Sequence, residues 1–177
     1  ASKKITLFYG TGGKYSLKIY GGDGKLVESG KKVDFTLAKG YFYFNRFSKK
    51  TGNNGIVVLE ISKSLAPGRY MLDVNYKNGF ALNYVTIKHV VTLKSVAVKK
   101  SAKKLVLTAT LKNKKPIKGK TVTFKFNGKT YNAKTNAKGV AKVTIKSNIL
   151  KKLKVGKKLT YQATYQKDTV KKTDKVK

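Results

Sequence analysis

The chain has 177 residues, with 41 basic and 7 acidic side chains, a formal net charge of +34 and no cysteine. That length admits one large domain or two small ones, and the missing thiols exclude disulfides, thiolate metal sites and cysteine nucleophiles. No run approaches the roughly 18 consecutive apolar residues that a membrane-spanning helix requires. Near the start, Ile5, Leu7 and Tyr9 alternate with Thr6 and Phe8, which is the period of a half-buried strand. Tyr15, Leu17 and Ile19 repeat the pattern. Gly30 then accepts a bend into a strand that faces Val33, Phe35 and Leu37 inward. An aromatic run follows: Tyr41, Phe42, Tyr43, Phe44 and then Phe47. The tract 51–55 turns the chain into Val57, Leu59 and Ile61. A corner at 65–68 leads to a strand through Tyr70, Leu72, Val74 and Tyr76, and Asn78-Gly79 turns it into a last strand near 81–88.

The plan then recurs. Residues 90–98 are expected to form the first strand of the second half. Leu105, Leu107, Ala109 and Leu111 face one way, with Thr108 and Thr110 on the other side. Gly119 precedes Val122, Phe124 and Phe126, and Asn127-Gly128 is a two-residue hairpin signal because both positions tolerate positive φ. The tract 135–139 turns into Ala141, Val143 and Ile145. The spacing of Ile149, Leu150 and Leu153 predicts one helical turn within 147–154. A final apolar alternation runs through Leu159, Tyr161, Ala163 and Tyr165. Residues 168–177 offer only Val170 and Val176 as apolar anchors, so they read as too polar for a normal final strand and leave an edge poorly covered.

Two stretches, 14–76 and 104–165, thus follow one order of strand, loop, G-K-x-V-x-F strand, T-x-x-x-G hairpin entry and Tyr-ending strand. About seven short strands per half, separated by turn signals, predict an all-β chain of two tandem immunoglobulin-like β-sandwich domains, 1–89 and 90–177. The motif set resembles the bacterial-type Ig-like repeats of invasin and intimin relatives, and most of all those of archaeal, methanogen adhesin-like surface proteins. Gly119, Lys120, Val122, Phe124, Asn127, Gly128, Lys129, Tyr131, Thr135, Gly139, Val140 and Tyr165 carry the resemblance in the second half. Gly30, Lys31, Val33, Phe35, Thr51, Gly55, Ile56 and Tyr76 carry it in the first. These are core and turn positions, and they bring no catalytic residue with them. The resemblance implies an extracellular, tandemly arrayed protein used as a stalk or adhesive surface. With no initiating methionine and no signal-like apolar start, the chain reads as a processed mature protein or a piece of a longer one.

Acid–base chemistry needs convergent carboxylates or a histidine with an orienting partner. By strand parity Asp34, Glu60 and Asp73 point outward, Asp23 and Glu28 lie in loops, and no acid is placed inward. His89 is read as an ordinary linker residue, and Asp23-Gly24 lacks the acidic neighbours a calcium site needs. No catalytic residue, metal, cofactor or lysine–asparagine cross-link is therefore expected. The charge is nearly all lysine, since only Arg46 and Arg69 are arginines, and it amounts to +10 over residues 1–89 and +24 over residues 90–177. Lysine lacks the planar fork that reads bases and phosphates. The expected partner is an anionic wall or surface polymer, or further copies of the chain, with nonspecific nucleic-acid binding at low salt. Two surfaces are singled out: a contact patch at Tyr41, Phe42, Tyr43, Phe44 and Phe47, and a strand of Ile5, Leu7 and Tyr9 suited to donation between copies in a filament or sheath. A basic nucleic-acid-binding module is the alternative reading.

Overall fold

The computed structural model describes residues 4–40 and 43–177, and the side chains of Tyr43 and Phe44 are outside that description. The chain divides into two compact units, Ala1–Lys88 and His89–Lys177. Among the described residues each unit holds seven strands.

Unit one consists of β1 (Lys4–Phe8), β2 (Gly13–Lys18), β3 (Lys32–Lys39), β4 (Tyr43–Lys50), β5 (Ile56–Ile61), β6 (Gly68–Tyr76) and β7 (Gly79–Lys88). Five of them form a sheet in the order β1-β7-β6-β3-β4, and β2 pairs with β5 in a second. Val33, Phe35 and Leu37 of β3, Val57, Leu59 and Ile61 of β5, and Tyr70, Leu72 and Val74 of β6 are buried. Tyr15 lies among them, and its hydroxyl donates to Asn83 Oδ1 at 2.9 Å. Burial pushes the Tyr15 phenol above its ordinary pKa. One pairing is parallel: β1 runs alongside β7 in the same direction, from Lys4 opposite Tyr84 to Phe8 opposite Lys88.

Unit two consists of β8 (Val91–Leu93), β9 (Lys104–Leu111), β10 (Thr121–Phe126), β11 (Lys129–Lys134), β12 (Val140–Lys146), α1 (Ser147–Leu150), β13 (Lys158–Tyr165) and β14 (Asp168–Lys175). Its sheets run β11-β10-β13-β14 and β12-β9-β8. The core between them holds Leu107, Leu111, Phe124, Phe126, Ile145, Leu150 and Tyr161, all fully buried. The two units are therefore immunoglobulin-like β-sandwiches in tandem, each with the alternation of buried and exposed residues that a sheet packed on one face imposes.

The repeated T-x-x-x-G element has the same physical cause in both units. Thr51 Oγ1 donates to Glu28 O at 2.6 Å and accepts the Lys31 N–H at 2.9 Å. Thr135 Oγ1 donates to Ile117 O at 2.8 Å and accepts the Lys120 N–H at 3.0 Å. Each buried hydroxyl thus satisfies the chain entering the next strand. The glycine four residues on has φ of +61° at Gly55 and +72° at Gly139. A Cβ on Gly55 would lie 2.9 Å from the Ile19 and Val27 carbonyl oxygens, and one on Gly139 would collide with the Leu111 carbonyl.

Three expectations need correction. Within residues 168–177 a normal final strand does form, since β14 pairs with β13 from Asp168 opposite Tyr165 to Lys175 opposite Lys158. Backbone pairing tolerates the polar composition because only alternate residues meet the core. The first strand of unit two is also shorter than 90–98: β8 pairs with β9 only over Val91–Leu93. The chain then crosses to the end of β14, where the Lys177 N–H donates to Val98 O and the Lys100 N–H to Lys177 O. Finally, the β6–β7 turn is made by Lys77 and Asn78, because Gly79 already pairs with Tyr76.

Candidate polyanion-binding surface

Unit two carries 26 lysines and two acidic residues, Asp168 and Asp174. Strand register fixes where the lysines stand. With Val122, Phe124 and Phe126 of β10 buried, the other parity, Thr121, Thr123 and Lys125, faces outward. Lys125 is opposite Gln162, which is opposite Lys171, and Lys158 is directly opposite Lys175. The rest of this outer face is largely threonine, with Thr160 and Thr173 hydroxyls 2.8 Å apart and those of Thr164 and Thr169 3.0 Å apart. On the other sheet Lys104 is directly opposite Lys146. All of these lysines are exposed. Like charges facing each other across two strands destabilise the sheet, and an anion placed between them removes that cost.

The acids offer no such relief, because both are turned to the leading segment of the unit. Asp168 is fully buried. Its Oδ2 accepts the Val90 and Val91 N–H groups at 2.7 and 2.9 Å, and its Oδ1 lies 2.5 Å from His89 Nδ1. Asp174 Oδ2 accepts the Val98 N–H at 2.8 Å, and the Tyr161 hydroxyl accepts the Val96 N–H at 3.0 Å. The segment that leaves β8 thus finds side-chain acceptors where a ladder is absent. Two sequence readings are corrected here. An acid does lie inward, since Asp168 and Asp174 share parity with Val170 and Val176. His89 is a partner of Asp168 and more than a plain linker residue.

Unit one differs in its charge pairing. Lys31 and Glu28 are 3.0 Å apart, Lys32 and Asp34 3.3 Å, and Lys14 and Glu60 3.9 Å. The Lys31 ammonium holds the Glu28 carboxyl below its ordinary pKa by hydrogen bonding. The Ser48 hydroxyl, and then Lys32, do the same for Asp34. These pairs are exposed and contribute little to stability, but they mask three of the first unit's lysines.

Of the contact patch, Tyr41 and Phe42 lie outside the described residues, as do the side chains of Tyr43 and Phe44. Phe47 is half-buried and stacks on buried Phe35, with ring centroids 5.4 Å apart. Of the donor strand, Ile5 and Leu7 are half-buried on β1 and Tyr9 is buried. Among the described residues no group of three or more His, Cys, Asp or Glu side chains converges to hold a metal. No helix among them is long and apolar enough to cross a membrane.

No family model and no curated protein matches the chain. Solved structures do resemble it. Invasin, a bacterial integrin-binding protein, is 16% identical with a TM-score of 0.42, over 95% of this chain and 36% of that one. The Ca2+-stabilized adhesin with which an Antarctic bacterium binds ice is 16% identical with a TM-score of 0.34, over 97% of this chain and 46% of that one. The I9–I11 tandem of titin is 11% identical with a TM-score of 0.41, over 99% of this chain and 63% of that one. The chain spans less than two thirds of the length of each. The assignment of two sandwiches rests on this chain's own sheet order and register.

Proposed function

We propose that the chain is a non-enzymatic structural or adhesive protein of a prokaryotic, archaeal cell surface, working outside the cell. In this reading the lysine-covered faces of unit two hold an anionic wall or sheath polymer. One observation carries it: lysines stand directly opposite one another on both outer faces of unit two while its only two acids are turned inward. A surface so arranged is stabilised by a multivalent anion. The archaeal assignment is supported by the core and turn residues that resemble methanogen adhesin-like repeats. Retention of the full chain on a linear anionic wall polymer at physiological salt is the expected result. Affinity that instead follows base sequence in DNA or RNA overturns it in favour of a nucleic-acid-binding module.

The finer form of the proposal is a filament or sheath subunit that assembles by exchange of β1. β1 is an edge strand near the chain start, joined among the described residues to its sheet only along β7, so the same slot can accept β1 of another copy. Removing residues 1–9 is expected to abolish assembled forms in light scattering while both units stay folded. If unit one unfolds and the intact chain shows no assembled form, β1 serves its own unit alone.

A further inference from the structure

One face of unit one breaks with the lysine surface of the rest of the chain. It is the outer face of the sheet β1-β7-β6-β3-β4. On β7 the parity opposite to buried Asn83, Val85 and Ile87 puts Phe80, Leu82 and Tyr84 in one outward row. Register sets Asn75, Asp73 and Met71 of β6 directly beside them. Phe80 is 64% exposed and Met71 40%. Arg69, of the same parity on β6, holds its guanidinium carbon 4.0 Å from the centre of the Tyr84 ring. Across β3, Arg46 of β4 is opposite Thr36, which is opposite Asp73. The chain's single methionine and both of its arginines therefore stand on this one face. Lysines of the same parity, Lys4, Lys32, Lys50 and Lys88, occur only where strands begin or end. Aromatic residues, methionine and arginine are enriched, and lysine depleted, where proteins pack on one another. Here they form a centre with lysines at its margin, in a chain whose other basic residues are all lysine.

We infer that this face packs on the same face of a second copy of the chain, in a two-fold pair. The occupant follows from charge. The face carries both signs: Arg46 and Arg69 against Asp34 and Asp73. Neither Arg46 nor Asp73 is in an ion pair among the described residues. In a two-fold contact each copy sets its arginines against the other's acids, so one surface supplies both halves of the match. A polyanion laid here would instead meet two carboxylates. The size also fits. β6 and β7 are nine and ten residues long, so five strands present a face of about 30 by 20 Å. That is of the order of the ~800 Å² each partner buries in a stable complex. The net charge of +34 opposes association at low salt, and screening within about 8 Å at physiological ionic strength relieves it. This contact differs from exchange of β1, because every strand stays in its own sheet.

Sedimentation of the full chain tests the pairing, without polymer, from micromolar to near-millimolar protein and at two salt concentrations. The wild type is expected to pass from monomer to dimer as its concentration rises, and more readily at the higher salt. Met71→Lys/Phe80→Lys is expected to weaken the dimer by about tenfold or more, the loss of two central contacts. Both side chains are exposed, so the melting temperature should hold. β1 is intact in this variant, so a lost dimer is not lost strand exchange. A charge swap gives the second reading. Arg46→Glu/Arg69→Glu and Asp34→Lys/Asp73→Lys are each expected to stay monomeric alone and to form mixed dimers together. A wild type that stays monomeric throughout overturns the pairing and leaves the face to a partner of another kind. Equal dimerisation by wild type and the Met71/Phe80 variant overturns it too, as does a swapped pair that is folded but fails to combine.

Discussion

Truncating Phe124 to alanine is expected to lower the stability of unit two by about 3–5 kcal/mol, the usual cost of deleting a buried phenyl ring. Phe124 is wholly buried between the two sheets, and its register partners are Tyr131 on β11 and Ala163 on β13. Neither of these can move into the space without abandoning its own ladder, so a cavity remains. Urea unfolding of the full chain checks the value and its location. One transition should move to lower denaturant while the other, belonging to unit one, holds its midpoint. A single transition that shifts as a whole would mean that the two units fold as one cooperative body.

Asp168→Ala is expected to cost about 3 kcal/mol in the same transition. The substitution leaves the Val90 and Val91 N–H groups without their acceptor in a buried place, and each such orphan costs roughly 1–3 kcal/mol. Asp168→Asn should cost less, because an amide oxygen at the Oδ2 position still accepts from both of them. Amide exchange adds a local reading, with the Val90 and Val91 protons losing protection before those of β10. If the alanine variant matches the wild type, the leading segment is held by β8 pairing alone.

Much of this architecture is written in alternation. Val33, Phe35 and Leu37, and their counterparts Val122, Phe124 and Phe126, are buried as their period of two requires. The helical turn Ser147–Leu150 follows from the spacing of Ile149, Leu150 and Leu153. What escaped is whatever depends on a partner far along the chain. Asp168 takes its partners 77 and 78 residues earlier, and nothing local marks a carboxyl as an acceptor for them. A signal is nonetheless present: Val170 and Val176 are the segment's apolar anchors, and Asp168 and Asp174 share their parity. The shortened β8 has the same origin, since its missing ladder is replaced by side-chain acceptors on β13 and β14. The opposed lysines were legible in principle. A two-residue turn after Tyr165 sets Lys158 against Lys175, but only once residues 168–175 are accepted as a strand. Phe47, singled out for the contact patch, lies opposite Phe35 in the β3–β4 register and stacks on its ring, a pairing that no local pattern marks.

The salt dependence of polymer binding bears most directly on the lysine surface. Binding of the full chain to linear polyphosphate, measured from low to above physiological salt, is compared with that of Lys104→Gln/Lys146→Gln/Lys158→Gln/Lys175→Gln. Counterion release makes log affinity fall linearly with log salt, with a slope set by the number of charges engaged. The wild type is expected to bind at physiological salt with a steep slope, and the variant to bind more weakly with a shallower one. Identical affinities and slopes for the two proteins would contradict the account, because the opposed lysines would then have no part in holding the anion.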